Sequence, residues 1–353
     1  MADRIYLDHA ATTPMLPRAM AAVAAGMRRW ANPSSPHADG RAARAALEEA
    51  RAAIGAAYGW GHELILTSGA SESLAIAMIR AMAPRRAITA VEHDAVMRLS
   101  EGAAVLPVDS GGLLDVDALR VEPGTLVTVQ WANSETGVRQ PIAAIADRVH
   151  EAGSLLLVDA AQMPAGADPD VMAHADFVAV SAHKRGGPPG IGALLVRDFA
   201  TLSPAGGQER GYRPGTENLP GALGYAAALA EPEPVGAYAE LRAALDRAIV
   251  AAGGEIVAAG SPRHPAIGAY RMRGVASAAQ LIQLDSAGFA VSAGSACASG
   301  SLKPSHVLAA MGMGEDAREV VRVSFGRGTT AAEVGAFAAA WRSLARERRR
   351  VLL

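Results

Sequence analysis

The chain has 353 residues, 50% of them hydrophobic and 19% charged, with a formal net charge of -2. That is enough for a large domain plus a smaller one in a folded protein, and it gives no general attraction for nucleic acid or an anionic membrane. A single cysteine excludes an internal disulfide framework or a cysteine-rich zinc cluster. No run reaches the roughly 20 apolar residues of a membrane span, and the opening MADRIYLDHAATTP has no secretory pattern. A cytoplasmic protein without a metal centre is expected.

Taken in order, Tyr6–Pro14 is a short apolar segment followed by turn formers, Asn32–His37 is a polar loop, and Gly40–Tyr58 reads as an alanine-rich helix. A strand, Leu64–Thr67, runs into the small residues Ser68 to Ser71, and a helix over Glu72–Met82 starts at once. Such a turn leaves unbonded amides at the positive end of a helix dipole, which suits a phosphate, although an ordinary cap by Ser71 gives the same pattern. Strands then follow at Ala87–Val91, ending in Glu92 and His93, at Ala104–Val108, and at Thr125–Trp131, ending in Ala132 and Asn133. A helix over Pro141–Ala152 leads to a strand at Leu155–Val158, which ends at Asp159 and Gln162. Repeated βα units imply a mostly parallel sheet whose ligands gather beyond the carboxyl ends of the strands. Ser71, His93, Asn133, Asp159, Gln162, Ser181, His183 and Lys184 all fall there.

The stretch Asp176–Arg197 reads as two strands joined by a Gly/Pro loop, with Lys184 just past the first. The sequence has only two lysines, Lys184 and Lys303, against many arginines. Where the chain needs a solvated positive charge it uses arginine. A lysine at a buried strand end therefore points to chemistry arginine cannot do, such as Schiff-base formation. A lysine, an aspartate and a helix start with free amides together match pyridoxal 5'-phosphate, whose pyridinium nitrogen needs a carboxylate partner.

Beyond this, Gly206–Asn218 is a turn-rich loop and Glu231–Pro234, EPEP, is the linker candidate. Helices over Val235–Ala252 and Ala276–Ala287 flank a strand at Gly254–Val257. Cys297 sits in the small-residue stretch Phe289–Ser301 with no apolar neighbour to bury it, a better setting for a nucleophile than for a core residue. Last, Val320–Gly328 reads as a strand carrying Arg322 and Arg327, before an amphipathic helix and a basic tail.

The stretches YLDHAATTP, NPSSPH, TSGASES, VEHDAV, ANSETG, VDAAQ, SAHKRGGPPGIGALL, GGQERGYRPGTEN, VSAGSACASGSLKPSHVL and VSFGRGTT occur in the order found in cysteine desulfurases. The chain resembles that group of class V aminotransferases over essentially its whole length. The resemblance implies a fold type I pyridoxal-phosphate enzyme of the α/β class, with a large, mostly parallel, seven-stranded-type sheet domain and a smaller α+β domain. The expected boundaries are 15–230 for the large domain, and 1–14 with 231–353 for the small domain carrying the cysteine loop.

By the same resemblance Lys184 would hold the cofactor as a Schiff base and Asp159 would pair with its ring nitrogen. Gln162 and Asn133 would bond the ring oxygen, and His93 would stack on the ring and relay protons. Ala70, Ser71, Ser181 and His183 would hold the phosphate, with Thr216 of the partner subunit in a homodimer. Asn32 and Arg327 would hold the carboxylate of L-cysteine. Cys297 would take its sulfur, leaving L-alanine and a persulfide for a sulfur-acceptor protein such as an iron–sulfur scaffold or carrier. His93 is the first candidate for the base that activates Cys297, and His306 the second.

The chain departs from the family pattern at His9, Ser134 and Gly186, and it ends soon after its last helix. A selenocysteine lyase, another class V enzyme that does not use Cys297, and a non-catalytic adaptor stay open as alternatives. The retention of Lys184, Asp159 and Cys297 together speaks against the adaptor.

Overall fold

The computed structural model describes residues 4–294 and 305–351, with residues 347–351 described by backbone only. Cys297 lies outside the described residues. The main sheet has seven strands in the spatial order Glu63–Thr67, Gly192–Val196, Phe177–Ser181, Leu155–Asp159, Thr125–Gln130, Arg85–Thr89 and Ala104–Leu106. All neighbours pair in parallel except Gly192–Val196, which runs antiparallel to both strands beside it. This is a mixed α/β fold with the large, mostly parallel seven-stranded sheet that the sequence led one to expect.

The central strands read as unbroken apolar runs because both faces are covered. Every residue of Thr125–Gln130, Phe177–Ser181 and Gly192–Val196 is buried. One side is packed by helices that include Ala38–Tyr58 and Ile142–Glu151, the other by Ala70–Arg80.

A second core gathers Leu7, Tyr238, Leu245, Phe289, Phe337 and Trp341. It is built on a three-stranded antiparallel sheet in the order Val320–Ser324, Ile267–Arg271, Glu255–Ile256. The N-terminal strand Ile5–Tyr6 pairs in parallel with Phe289–Ala290, which brings the first residues of the chain to its last third.

Gly192 shows how the sheet shapes the site. It is paired with both Thr67 and Ser181, and a Cβ there would lie 2.5 Å from the Val180 carbonyl oxygen and 2.6 Å from Gly69 Cα. Only a glycine lets the antiparallel strand begin between these two strand ends. The turn before it, with Pro189 and Gly190, therefore reaches the same rim as the carboxyl ends of the parallel strands.

Candidate active site

A cavity of about 510 Å³ lies at that rim. The strand ending at Thr67 feeds the helix Ala70–Arg80 through Gly69. The first helical hydrogen bond is Ser73 N–H to Gly69 O at 3.1 Å, so the amides of Ala70, Ser71 and Glu72 precede the ladder. All three residues line the cavity. Ser68 N–H is bonded instead by the Glu72 carboxylate, which also accepts from Arg213 Nε at 2.9 Å. These contacts hold the Glu72 carboxyl below its ordinary range against the opposing effect of burial.

Lys184 lines the same cavity, three residues past the Phe177–Ser181 strand, with Ser181 and His183 beside it. Its turn is pinned from outside by the N-terminal segment. Thr13 N–H donates to His183 O and Leu16 N–H to Gly186 O, both at 2.9 Å. Gly186 has φ +79°, and a Cβ there would lie 2.7 Å from Leu16 Cγ, so the glycine at this departure from the family pattern accommodates the clamp. Burial, with the nearby Lys184 and Arg185 charges, pushes the His183 imidazole down to about 4.

Asp159 stands at the end of the neighbouring strand, buried, with Oδ1 accepting from Ala161 N–H at 2.9 Å. Across the next strand, Glu92 is fully buried. Its Oε1 accepts from Thr89 Oγ1–H at 2.5 Å and from Gln130 N–H at 3.0 Å. Its Oε2 has no hydrogen-bond partner among the described residues. Burial, with a smaller effect from Asp159, pushes this carboxyl up to about 8. His93 caps the short helix Asp94–Met97, its Nδ1 accepting from Ala95 N–H at 3.1 Å.

The structure thus brings Ala70, Ser71, His93, Asn133, Asp159, Ser181, His183 and Lys184 to one cavity. Among the described residues, Gln162, Asn32, Thr216 and Arg327 are not on its wall. Gln162 donates from Nε2 to Ala10 O at 2.9 Å and lines a separate small cavity behind Lys184. The Asn133 side chain is spent on its own turn, with Nδ2 on Val91 O at 3.0 Å and Oδ1 accepting from Glu135 and Thr136. Asn32 and Thr216 are exposed on the surface of the chain, away from the cavity wall.

Arg327 does not reach the cavity wall. The strand ends at Ser324, and past it Arg327 turns inward, donating to Arg185 O at 3.0 Å and Glu231 O at 2.8 Å. The arginine on the cavity wall is Arg322, from within the strand. It is 3% exposed, donates to Ser134 O at 3.0 Å, pairs with Asp8 at 2.6 Å, and keeps a buried Nε–H without a partner among the described residues. Alternation on the strand was the available signal for it.

A seat of helix amides, an ammonium, a buried carboxylate and a guanidinium around one cavity suit a phosphorylated cofactor with a ring nitrogen and a carbonyl that reacts with amines. The decisive comparison is with protein families, where the model described as aminotransferase class-V matches residues 5–337.

The chain belongs to the class V aminotransferase family.

It is 39% identical to a protein of Cereibacter sphaeroides named cysteine desulfurase, over 94% of this chain and 93% of that one. Its fold is similar to a NifS-like protein from Rickettsia africae, with a TM-score of 0.87 and 27% identity, covering 97% and 99% of the two chains. A structure described as SspA in complex with cysteine matches with a TM-score of 0.79 and 30% identity, covering 92% of this chain and all of that one. Within the family, then, the relatives that this chain resembles include proteins named cysteine desulfurase.

Proposed function

We propose that this enzyme is a pyridoxal-phosphate-dependent cysteine desulfurase. It converts L-cysteine to L-alanine, leaving the sulfur as a persulfide on Cys297 for a sulfur-acceptor protein such as an iron–sulfur scaffold or carrier. The observation that carries the reading is the meeting of Lys184, Asp159 and the Ala70–Glu72 amides around one cavity, together with a chain that holds one cysteine.

Lys184 would bind the cofactor covalently and Asp159 would accept a hydrogen bond from its ring nitrogen. Ala70, Ser71, Ser181 and His183 would hold the phosphate. When bound, pyridoxal phosphate supplies an electron sink for breaking bonds at the substrate's Cα and Cβ. Arg322, in place of Arg327, would hold the substrate carboxylate through its unpartnered Nε–H. Cys297 loses its thiol proton to a base, and the thiolate takes the substrate sulfur. The carbon left behind gains a proton and departs as alanine, so atoms and charge balance.

The reading extends to organisation. Residues 15–230 would form the cofactor domain, and residues 1–14 with 231–353 the small domain, in keeping with the separate core of Leu7, Tyr238, Phe337 and Trp341. Homodimerisation would bring Thr216 of the partner subunit to each phosphate seat, in keeping with the exposure of Thr216 on the single chain.

Sulfide and alanine release from cysteine in the presence of a reductant tests the proposal. Lys184→Ala should abolish both, and Cys297→Ala should abolish sulfide release while still binding the cofactor. A wild type loaded with pyridoxal phosphate that releases neither product from cysteine would overturn it.

A further inference from the structure

Of the three histidines that line the cavity, His93 and His306 have hydrogen bonds that fix their tautomers differently. A backbone amide only donates, so the Ala95 N–H that lies 3.1 Å from His93 Nδ1 requires a lone pair on that nitrogen. The proton of neutral His93 then sits on Nε2. A second proton would have to go on Nδ1, where it would break the cap of the Asp94–Met97 helix. Burial also holds the His93 imidazolium below its ordinary range.

His306 is the reverse case. A carbonyl only accepts, so the 2.9 Å contact between His306 Nε2 and Glu92 O requires Nε2–H. The lone pair is then on Nδ1, for which no hydrogen bond is found among the described residues, so a proton added there breaks none of their hydrogen bonds. The residue is held in place from both ends. Ser305 caps its helix, with Oγ accepting from Leu308 N–H at 3.1 Å, and Val307 and Leu308 pack on Val91 in a buried cluster.

We propose, resting on the desulfurase reading above, that His306 is the proton acceptor of this cavity, through Nδ1, and that His93 serves only as a donor through Nε2. The step it performs is deprotonation of a thiol. The S–H bond breaks, the sulfur keeps the electron pair, an Nδ1–H bond forms, and the imidazolium later returns the proton to water. The titratable and charged groups sharing the cavity with His306 are Glu92, His93 and Asp94 at one strand end, Asp159, His183 and Lys184 at two others, Glu135 past a further strand, Glu72 at the helix start, and Arg322 on the small sheet. Glu92 is held protonated near neutrality by burial, and Asp94 at the same strand end is paired with Arg98.

The test uses His306→Gln, whose amide still donates to Glu92 O but has no titratable lone pair, beside His93→Gln. In the wild type, sulfide release should fall on the acid side as the base is protonated. That acid limb should disappear in His306→Gln, with a rate loss of roughly 10²-fold or more, and persist in His93→Gln. An acid limb that survives in His306→Gln and vanishes in His93→Gln would overturn the proposal. Independently of turnover, nitrogen-15 NMR of cofactor-free and cofactor-loaded protein should show His306 with a bare Nδ1 at neutral pH. A proton on His306 Nδ1 in place of Nε2 would overturn it as well. Failure of the desulfurase reading is separable, because it would appear as no alanine from cysteine with these tautomers intact.

Discussion

Glu92 carries a stability signature that the surface carboxylates do not share. Its ordinary value of 4.5 is pushed up to about 8 in the fold, first by burial and then by Asp159. A carboxyl whose folded value is raised contributes fully below the unfolded value and loses its contribution as pH rises towards the folded one. Unfolding free energy should therefore fall between about pH 4.5 and 8 by up to ~1.4 kcal/mol per pH unit from this group alone. Glu92→Gln, which mimics the protonated acid, should remove that slope in urea titrations, and an unchanged slope would contradict the assignment. The two arginines make a separate prediction. Arg322→Lys should raise KM for cysteine roughly ten-fold or more, whereas Arg327→Lys should lower stability through its contacts with Glu231 and Arg185 and leave KM near the wild-type value. Lys184, Asp159 and His93 were legible in the sequence because each ends an apolar run. Arg322 lies inside the strand Val320–Ser324 and Arg327 beyond it, so alternation could point to Arg322 only once the end of the strand was known. The hydrogen-bond partners of Gln162 and Asn133 were not legible either, because an amide's partners depend on backbone turns that residue type alone does not encode.

At the scale of elements, the register around Gly192 is the most sensitive feature of the site. Gly192→Ala puts a methyl against the Val180 carbonyl and Gly69, contacts made with backbone that cannot swing aside. The expected cost is roughly 1–3 kcal/mol of stability, with weaker binding of pyridoxal phosphate because Gly69 begins the phosphate seat. A Gly192→Ala protein with wild-type stability and cofactor affinity would contradict this account. The strands of the main sheet stand out in the sequence as buried apolar runs bounded by turn residues. Helices Pro17–Met27 and Leu219–Leu229 do not. The first mixes alanine with the exposed Met20 and Met27, and the second is apolar on nearly every side, so neither shows a clean helical period. Ile267–Arg271 also escaped the sequence reading, with a glycine and an alanine inside five residues. It is nonetheless the central strand of the small sheet, fixed there by pairing on both edges.

At the scale of the whole molecule, residues from both ends of the chain meet at one cavity. Asp8 pairs with Arg322, while the segment after it clamps the Lys184 turn. The proposed homodimer adds a test of composite sites. Mixing inactive Lys184→Ala and Thr216→Ala protomers should recover activity in heterodimers, one of whose sites has both residues intact. No recovery after confirmed subunit exchange would contradict the shared site. The central claim, however, is that the sulfur of cysteine passes to Cys297. Mass spectrometry of the cofactor-loaded protein after brief treatment with L-cysteine, without reductant, tests it most directly. The account predicts one added sulfur on the peptide containing Cys297, formed together with alanine and absent from Lys184→Ala. Alanine production with no sulfur on Cys297, and sulfide release by Cys297→Ala at the wild-type rate, would contradict it and leave a lyase in its place.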